Sequence, residues 1–111
     1  MRYLFNSAVL TSPGLYRYNN LSREEAWEWA PRGARQSAID SEETAEALGD
    51  LLGLPVPIDR RTVAMAVNDE ALVFRLVLPP GTPPIKPGDK SAIARAVHAG
   101  YFELGLLTRV A

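Results

Sequence analysis

No cysteine occurs among the 111 residues, which removes disulfides, thiolate metal sites and cysteine nucleophiles together. There is one histidine, His98, so a histidine-based zinc site cannot be assembled, and the acidic residues show no metal-loop spacing. The expectation is therefore no metal and no cofactor. Charge of one sign is also lacking: 12 basic residues face 13 acidic ones, for a net charge of -1. That balance gives no basic field for duplex nucleic acid or an anionic membrane surface. Long hydrophobic runs are missing too. Met1 to Leu10 is apolar over about ten residues, too short to span a bilayer and without a cleavage pattern, so it reads as a strand. A cytoplasmic location is expected.

What is present is ordinary for a globular chain: 47% hydrophobic and 23% charged residues. The length suits a single domain over 1–111. Tyr3-Leu4-Phe5 and Ala8-Val9-Leu10 read as a buried strand broken by the polar pair Asn6-Ser7. After the turn Ser12-Pro13-Gly14, Leu15 to Tyr18 reads as a returning strand. Ser22 and Glu25 form a capping-box pattern at the start of a helix that stops before Pro31. A second helix is expected from about Glu42 to Leu52, with Ala45, Leu48, Leu51 and Leu52 on one face and Gly53 as its stop. The prolines of Leu54 to Asp59 make an extended connector. Arg61 to Val67, the turn signal Asn68-Asp69 and Ala71 to Leu78 look like a hairpin. A stiff proline loop, a third helix from about Lys90 to Ala99 and a final strand from Tyr101 to Val110 complete the chain. This order predicts an α/β fold, a two-layer sandwich with helices packed on a mixed sheet.

The stretch from Ser37 to Ala45 carries the most information. It reads as a loop that delivers polar groups onto the first turn of a helix. Ser41 is the N-cap, Thr44 lies three residues on, and Glu42 and Glu43 favour the positive end of the helix dipole. Free backbone N–H groups at such a start can hold a phosphate, although most capped helix starts bind nothing. Any nucleotide held by a chain of this charge must be small and fixed by a few placed groups.

Four segments in order resemble one family. They are Leu4-Phe5-Asn6-Ser7 with Thr11-Ser12-Pro13-Gly14; Ser37 to Gly53; Pro57-Ile58-Asp59-Arg60 leading to Leu72-Val73-Phe74-Arg75-Leu76; and Leu106-Leu107-Thr108-Arg109. Together they look like the small viral anti-CRISPR ring nucleases and their phage, plasmid and bacterial relatives, long catalogued as a domain of unknown function. The resemblance implies an α/β homodimer that binds cyclic tetra-adenylate, a second messenger of antiviral defence, in a cleft on the dimer axis. Active members cleave the ring without a metal, with the ribose 2′-hydroxyl as nucleophile and a histidine as general acid. The family pattern Ser-Ala-Ile-Gly-His-Glu reads here Ser37-Ala38-Ile39-Asp40-Ser41-Glu42, so Ser41 holds the histidine position. The Arg and Glu that the family places around the loop after the long strand are absent from Val77-Leu78-Pro79-Pro80-Gly81. A serine hydroxyl is a poor acid at neutral pH, where imidazole is a good one.

The residues implied to meet the ligand are Asn6, Ser7, Ser37, Ala38, Ile39, Ser41, Glu42, Thr44 and Arg60, with Ser41 also the candidate catalytic position. For each a plainer reading stands beside the functional one. Asn6 and Ser7 bond a ligand or cap a bulge, and Arg60 contacts phosphate or is an exposed strand-end charge. His98 suits a helix C-terminus as a cation. Trp27 and Trp29 could stack on a base, but at i and i+2 they face different sides of their helix, so one core and one surface residue is the leading reading and stacking the lesser one. The run from Arg32 to Gln36 reads equally as phosphate contacts or a solvated loop. The leading expectation is binding and sequestration of a cyclic oligonucleotide away from a defence effector. A slow or rewired ring nuclease, and a protein-interaction module on the same fold, are the alternatives.

Overall fold

Ala71, Leu72, Val73 and Phe74 are each 1% exposed or less, so this run is covered on both faces. A continuous apolar run of that kind belongs in the middle of a sheet. The computed structural model, which describes residues 1–6, 12–31, 35–60 and 62–111, places it there. Five strands and three helices follow in the order β1 (Arg2–Phe5), β2 (Tyr16–Leu21), α1 (Arg23–Trp29), β3 (Arg35–Ala38), α2 (Glu42–Leu52), β4 (Glu70–Leu76), α3 (Lys90–His98) and β5 (Phe102–Arg109). The sheet order is β2-β5-β4-β1-β3. β1 runs parallel to both β3 and β4, whereas β5 is antiparallel to β4 and β2, so the sheet is mixed.

The hairpin expected between Arg61 to Val67 and Ala71 to Leu78 does not form. Both edges of β4 are taken, one by β1 and one by β5, leaving no ladder for a preceding strand. Residues 62–66 are irregular. They lie over the sheet instead, where Val63 and Met65 pack against Tyr3, Phe5, Ala71, Val73 and Leu107. Arg109 secures this cover by donating from Nη1 to the Met65 carbonyl and from Nη2 to that of Pro13 at 3.0 Å. The turn at Asn68-Asp69 is present, with Asn68 at φ 73° and Asp69 Oδ2 accepting the Ala66 N–H at 2.8 Å. Asn tolerates that left-handed conformation better than most residues.

All three helices cover the opposite face. Leu4, Leu72, Phe74 and Leu104 point from the sheet into a core shared with Ala26 and Trp29 of α1, Leu48 and Leu51 of α2, and Ile93 of α3. Helices on one face of a sheet make two main layers. The two tryptophans separate as their spacing requires: Trp29 is 8% exposed and Trp27 is 50% exposed. β3 is an element the sequence reading assigned to loop. Its residues, Arg35 to Ala38, carry no apolar alternation, and its ladder is supplied entirely by β1. Ala8-Val9-Leu10, expected to continue the first strand, lies outside the described residues.

Candidate functional site

β1 and β3 are parallel neighbours, so their carboxyl ends open at the same edge of the sheet. Asn6 follows β1 there, and the segment Ile39-Asp40-Ser41 leads from β3 into α2. In open α/β sheets this is where ligands bind. Ser41 is the N-cap of α2, in extended backbone at φ -127° and ψ 140°. Its Oγ accepts the Thr44 N–H at 3.3 Å and donates to Thr44 Oγ1 at 2.7 Å. The cap read from sequence is therefore present.

Asp40 is the centre of the polar cluster. Asn6 Nδ2 donates to its carboxylate, and Arg60 Nε donates to its backbone carbonyl at 3.1 Å. The Asp59 N–H also donates to the Ile39 carbonyl at 3.0 Å, which lays the proline connector alongside the β3–α2 loop. Arg60 uses only Nε among the described residues, so its two terminal nitrogens stay open. Asn6, Asp40, Ser41 and Arg60 are thus brought together from three separate segments. In the sequence, Asp40 stands where the family pattern has glycine. Its partners lie far along the chain, and no local pattern marks a carboxylate as a hub.

Other expected contacts fall elsewhere. Ile39 is fully buried in the helix-side core, and Ala38 packs against the opposite core. Ser37 is 5% exposed, and its Oγ accepts the Ile39 N–H at 3.2 Å, a local turn contact. Glu42 is engaged by Lys90 Nζ at 2.9 Å, with Glu46 at 3.1 Å. The Glu42 hydrogen bond, then that of Glu46, holds the Lys90 ammonium above its ordinary value. This pairing offsets negative charge beside the helix start. Ser7, Arg61 and most of the run beginning at Arg32 lie outside the described residues. His98 is exposed on the last turn of α3, in the groove between α2 and α3.

Chemically, Asn6 is held on the Asp40 carboxylate and the Ser41 and Thr44 hydroxyls on each other, so what stands open beside that carboxylate is the outer guanidinium of Arg60 and the first N–H groups of α2. That set can hold an anion by charge-assisted hydrogen bonds. The hydroxyls of Ser41 and Thr44 and the amide of Asn6 are poor proton donors at neutral pH. Among the described residues, no group of three or more His, Cys, Asp or Glu is placed to hold a metal ion. No helix among them is long and apolar enough to cross a membrane.

Comparison with known proteins adds a family. The family model described as STIV B116-like matches residues 2–78. Uncharacterized protein YddF of Bacillus subtilis (strain 168) is 33% identical over 73 residues, spanning 64% of this chain and 68% of that protein. In three dimensions the chain is similar to B116 of Sulfolobus turreted icosahedral virus, with a TM-score of 0.70 over 97% of this chain and 98% of that one. Sequence identity in that pairing is 18%, so the likeness establishes the fold alone. With most of its length matched by the family model, the chain belongs to the STIV B116-like family.

Proposed function

We propose that this protein binds a cyclic oligonucleotide second messenger, cyclic tetra-adenylate or a related signal, and sequesters it from an antiviral defence effector. The single observation that carries the reading is the posture of Arg60. Its Nε is fixed on the Asp40 carbonyl, so its terminal N–H groups stand open near the N-cap of α2. A guanidinium held at one nitrogen is pre-oriented for a phosphate, and the helix start adds N–H donors of its own. The ligand class is taken from the four-segment resemblance to ring nucleases. A cyclic ligand built of repeats asks for the same groups twice, and the described residues of one chain supply one such cluster, so the acting species in this reading is a two-fold homodimer.

Binding is favoured over cleavage by the state of Ser41. Its hydroxyl proton is directed at Thr44 Oγ1, into the protein's own helix cap. It is a poor acid and is already used.

The test is calorimetric titration with cyclic tetra-adenylate, with linear tetra-adenylate as control and chromatography of the recovered ligand. Expected is saturable binding at one ring per two chains, with the ring recovered intact. At 100 times its dissociation constant the ring should stabilise the fold by about 2.7 kcal/mol. No binding together with a monomeric protein would overturn the reading and leave the protein-interaction alternative. Rapid conversion to linear product would replace it with the enzyme alternative.

A further inference from the structure

A groove of about 550 Å³ lies between α3 and the proline-rich segment after β4. It shares no residue with the Asn6, Ser41 and Arg60 cluster, and its size falls within the range of roughly 300–1,000 Å³ typical of small-molecule sites. We infer that this groove is a ligand site for a small amphipathic anion, an aromatic ring bearing a carboxylate.

The apolar part of the argument begins with the walls. Leu78, Pro84 and Ile85 line one side and Ala96 of α3 the other, with Tyr101 in the same groove. Pro79, Pro80, Pro83 and Pro84 fix φ along the strap, and the Thr82 N–H closes a turn on the Pro79 carbonyl at 3.1 Å. The Tyr101 backbone is held on both sides, its N–H donating to Ala96 at 2.9 Å and its carbonyl accepting from Val77 at 2.9 Å. Tyr101 is nevertheless 41% exposed. A stiff apolar wall and a half-open phenol ring are preorganised for a flat apolar body.

Charge then selects the sign. Lys86 and Arg95 line the groove, and neither side chain makes an ion pair or hydrogen bond among the described residues. The acid in the same groove, Asp89, is engaged as the N-cap of α3, its Oδ1 accepting the Ala92 N–H at 3.0 Å. Two uncommitted cations beside a committed carboxylate favour an anionic ligand over a neutral or cationic one. A carboxylate fits the guanidinium fork of Arg95, with the Lys86 ammonium as a second point charge.

The experiment is a titration of the 15N-labelled full chain with 2-naphthoate, and in parallel with the uncharged 2-naphthamide, followed by amide chemical shifts. Expected are saturable shifts at residues 78–86 and 92–101, and tighter binding of the carboxylate by roughly tenfold, as a charge-assisted contact provides. Lys86→Ala with Arg95→Ala should bring the two affinities within about twofold while leaving the rest of the spectrum in place. Tyr101→Ala should weaken both compounds. Absence of saturable shifts, shifts centred on other residues, or equal affinities for acid and amide in the unmodified protein would each overturn the proposal.

Discussion

Arg60 reaches back 20 positions to donate from Nε to the carbonyl of Asp40 at 3.1 Å. The bond ties the proline connector to the start of α2 and leaves the outer guanidinium nitrogens uncommitted. Arg60→Ala should weaken binding of cyclic tetra-adenylate by roughly 1.5–3 kcal/mol, the range for a charge-assisted hydrogen bond. Arg60→Lys should not restore it fully, because an ammonium lacks the fork that satisfies carbonyl and phosphate together. Calorimetric titration of both variants checks this, and unchanged affinity in Arg60→Ala would return Arg60 to the role of a surface charge.

Where rules are local, the sequence was readable. Ser41 and Gly53 bracket α2 as their residue types demand, Gly53 taking the left-handed conformation at φ 68°. Ser22 and Glu25 form the expected capping box. Where pairing is non-local, reading failed. β3 is polar and owes its ladder to β1, and the residues before β4 form no hairpin with it because β1 and β5, both distant in sequence, hold its two edges. The candidate site divides in the same way. Ser41 and Thr44 were visible as a cap, whereas the bond from Asn6 to Asp40 spans 34 positions and has no local signature. Ile39 looked like a ligand contact from its place in the motif and is a core residue.

Gly53 and Trp27 form a second linked pair. A Cβ built on Gly53 would come within 2.2 Å of the Trp27 ring, and the residue is left-handed besides. Gly53→Ala should cost about 1–2 kcal/mol from the backbone alone, plus whatever displaces the ring. In a Trp27→Ala background the cost should fall toward the backbone value. Urea denaturation of the double-mutant cycle measures the difference. Additive effects would mean that the ring moves aside freely.

Glu25 supplies a pH-dependent contribution. The Ser22 backbone hydrogen bond, then that of the Ser22 side chain, holds its carboxyl below the ordinary 4.5. A depressed folded value means stability is fully present above the unfolded value and is lost as pH falls through the folded one. Side-chain NMR titration should place Glu25 below the ordinary 4.5. Glu25→Gln should retain the capping geometry and flatten the loss of α1 helicity below about pH 4.5. A Glu25 titration at or above that ordinary value would remove the capping box from solution.

In the proposed reading, the Ser41 position is what separates binding from cleavage. Its hydroxyl donates to Thr44 Oγ1, and its Oγ receives the Thr44 N–H, so both bonds belong to the helix cap. Ser41→Ala should therefore reduce stability by about 0.5–2 kcal/mol, as loss of an N-cap does, without altering the fate of cyclic tetra-adenylate. Under single-turnover conditions the unmodified protein should leave the ring largely intact. Ser41→His with Asp40→Gly should introduce cleavage, because imidazole can give a proton to the leaving 5′-oxygen near neutral pH. The glycine restores conformational freedom and removes the carboxylate that Asn6 now holds, while the backbone carbonyl that receives Arg60 remains. The double variant loses the cap, so its folding must be checked by circular dichroism before its rate is read. A general acid contributes roughly two to four orders of magnitude, and the missing Arg and Glu of the loop after β4 should keep the gain below that full value. Fast cleavage by the unmodified protein, persisting in Ser41→Ala, would show that catalysis uses other groups and would make sequestration the wrong reading.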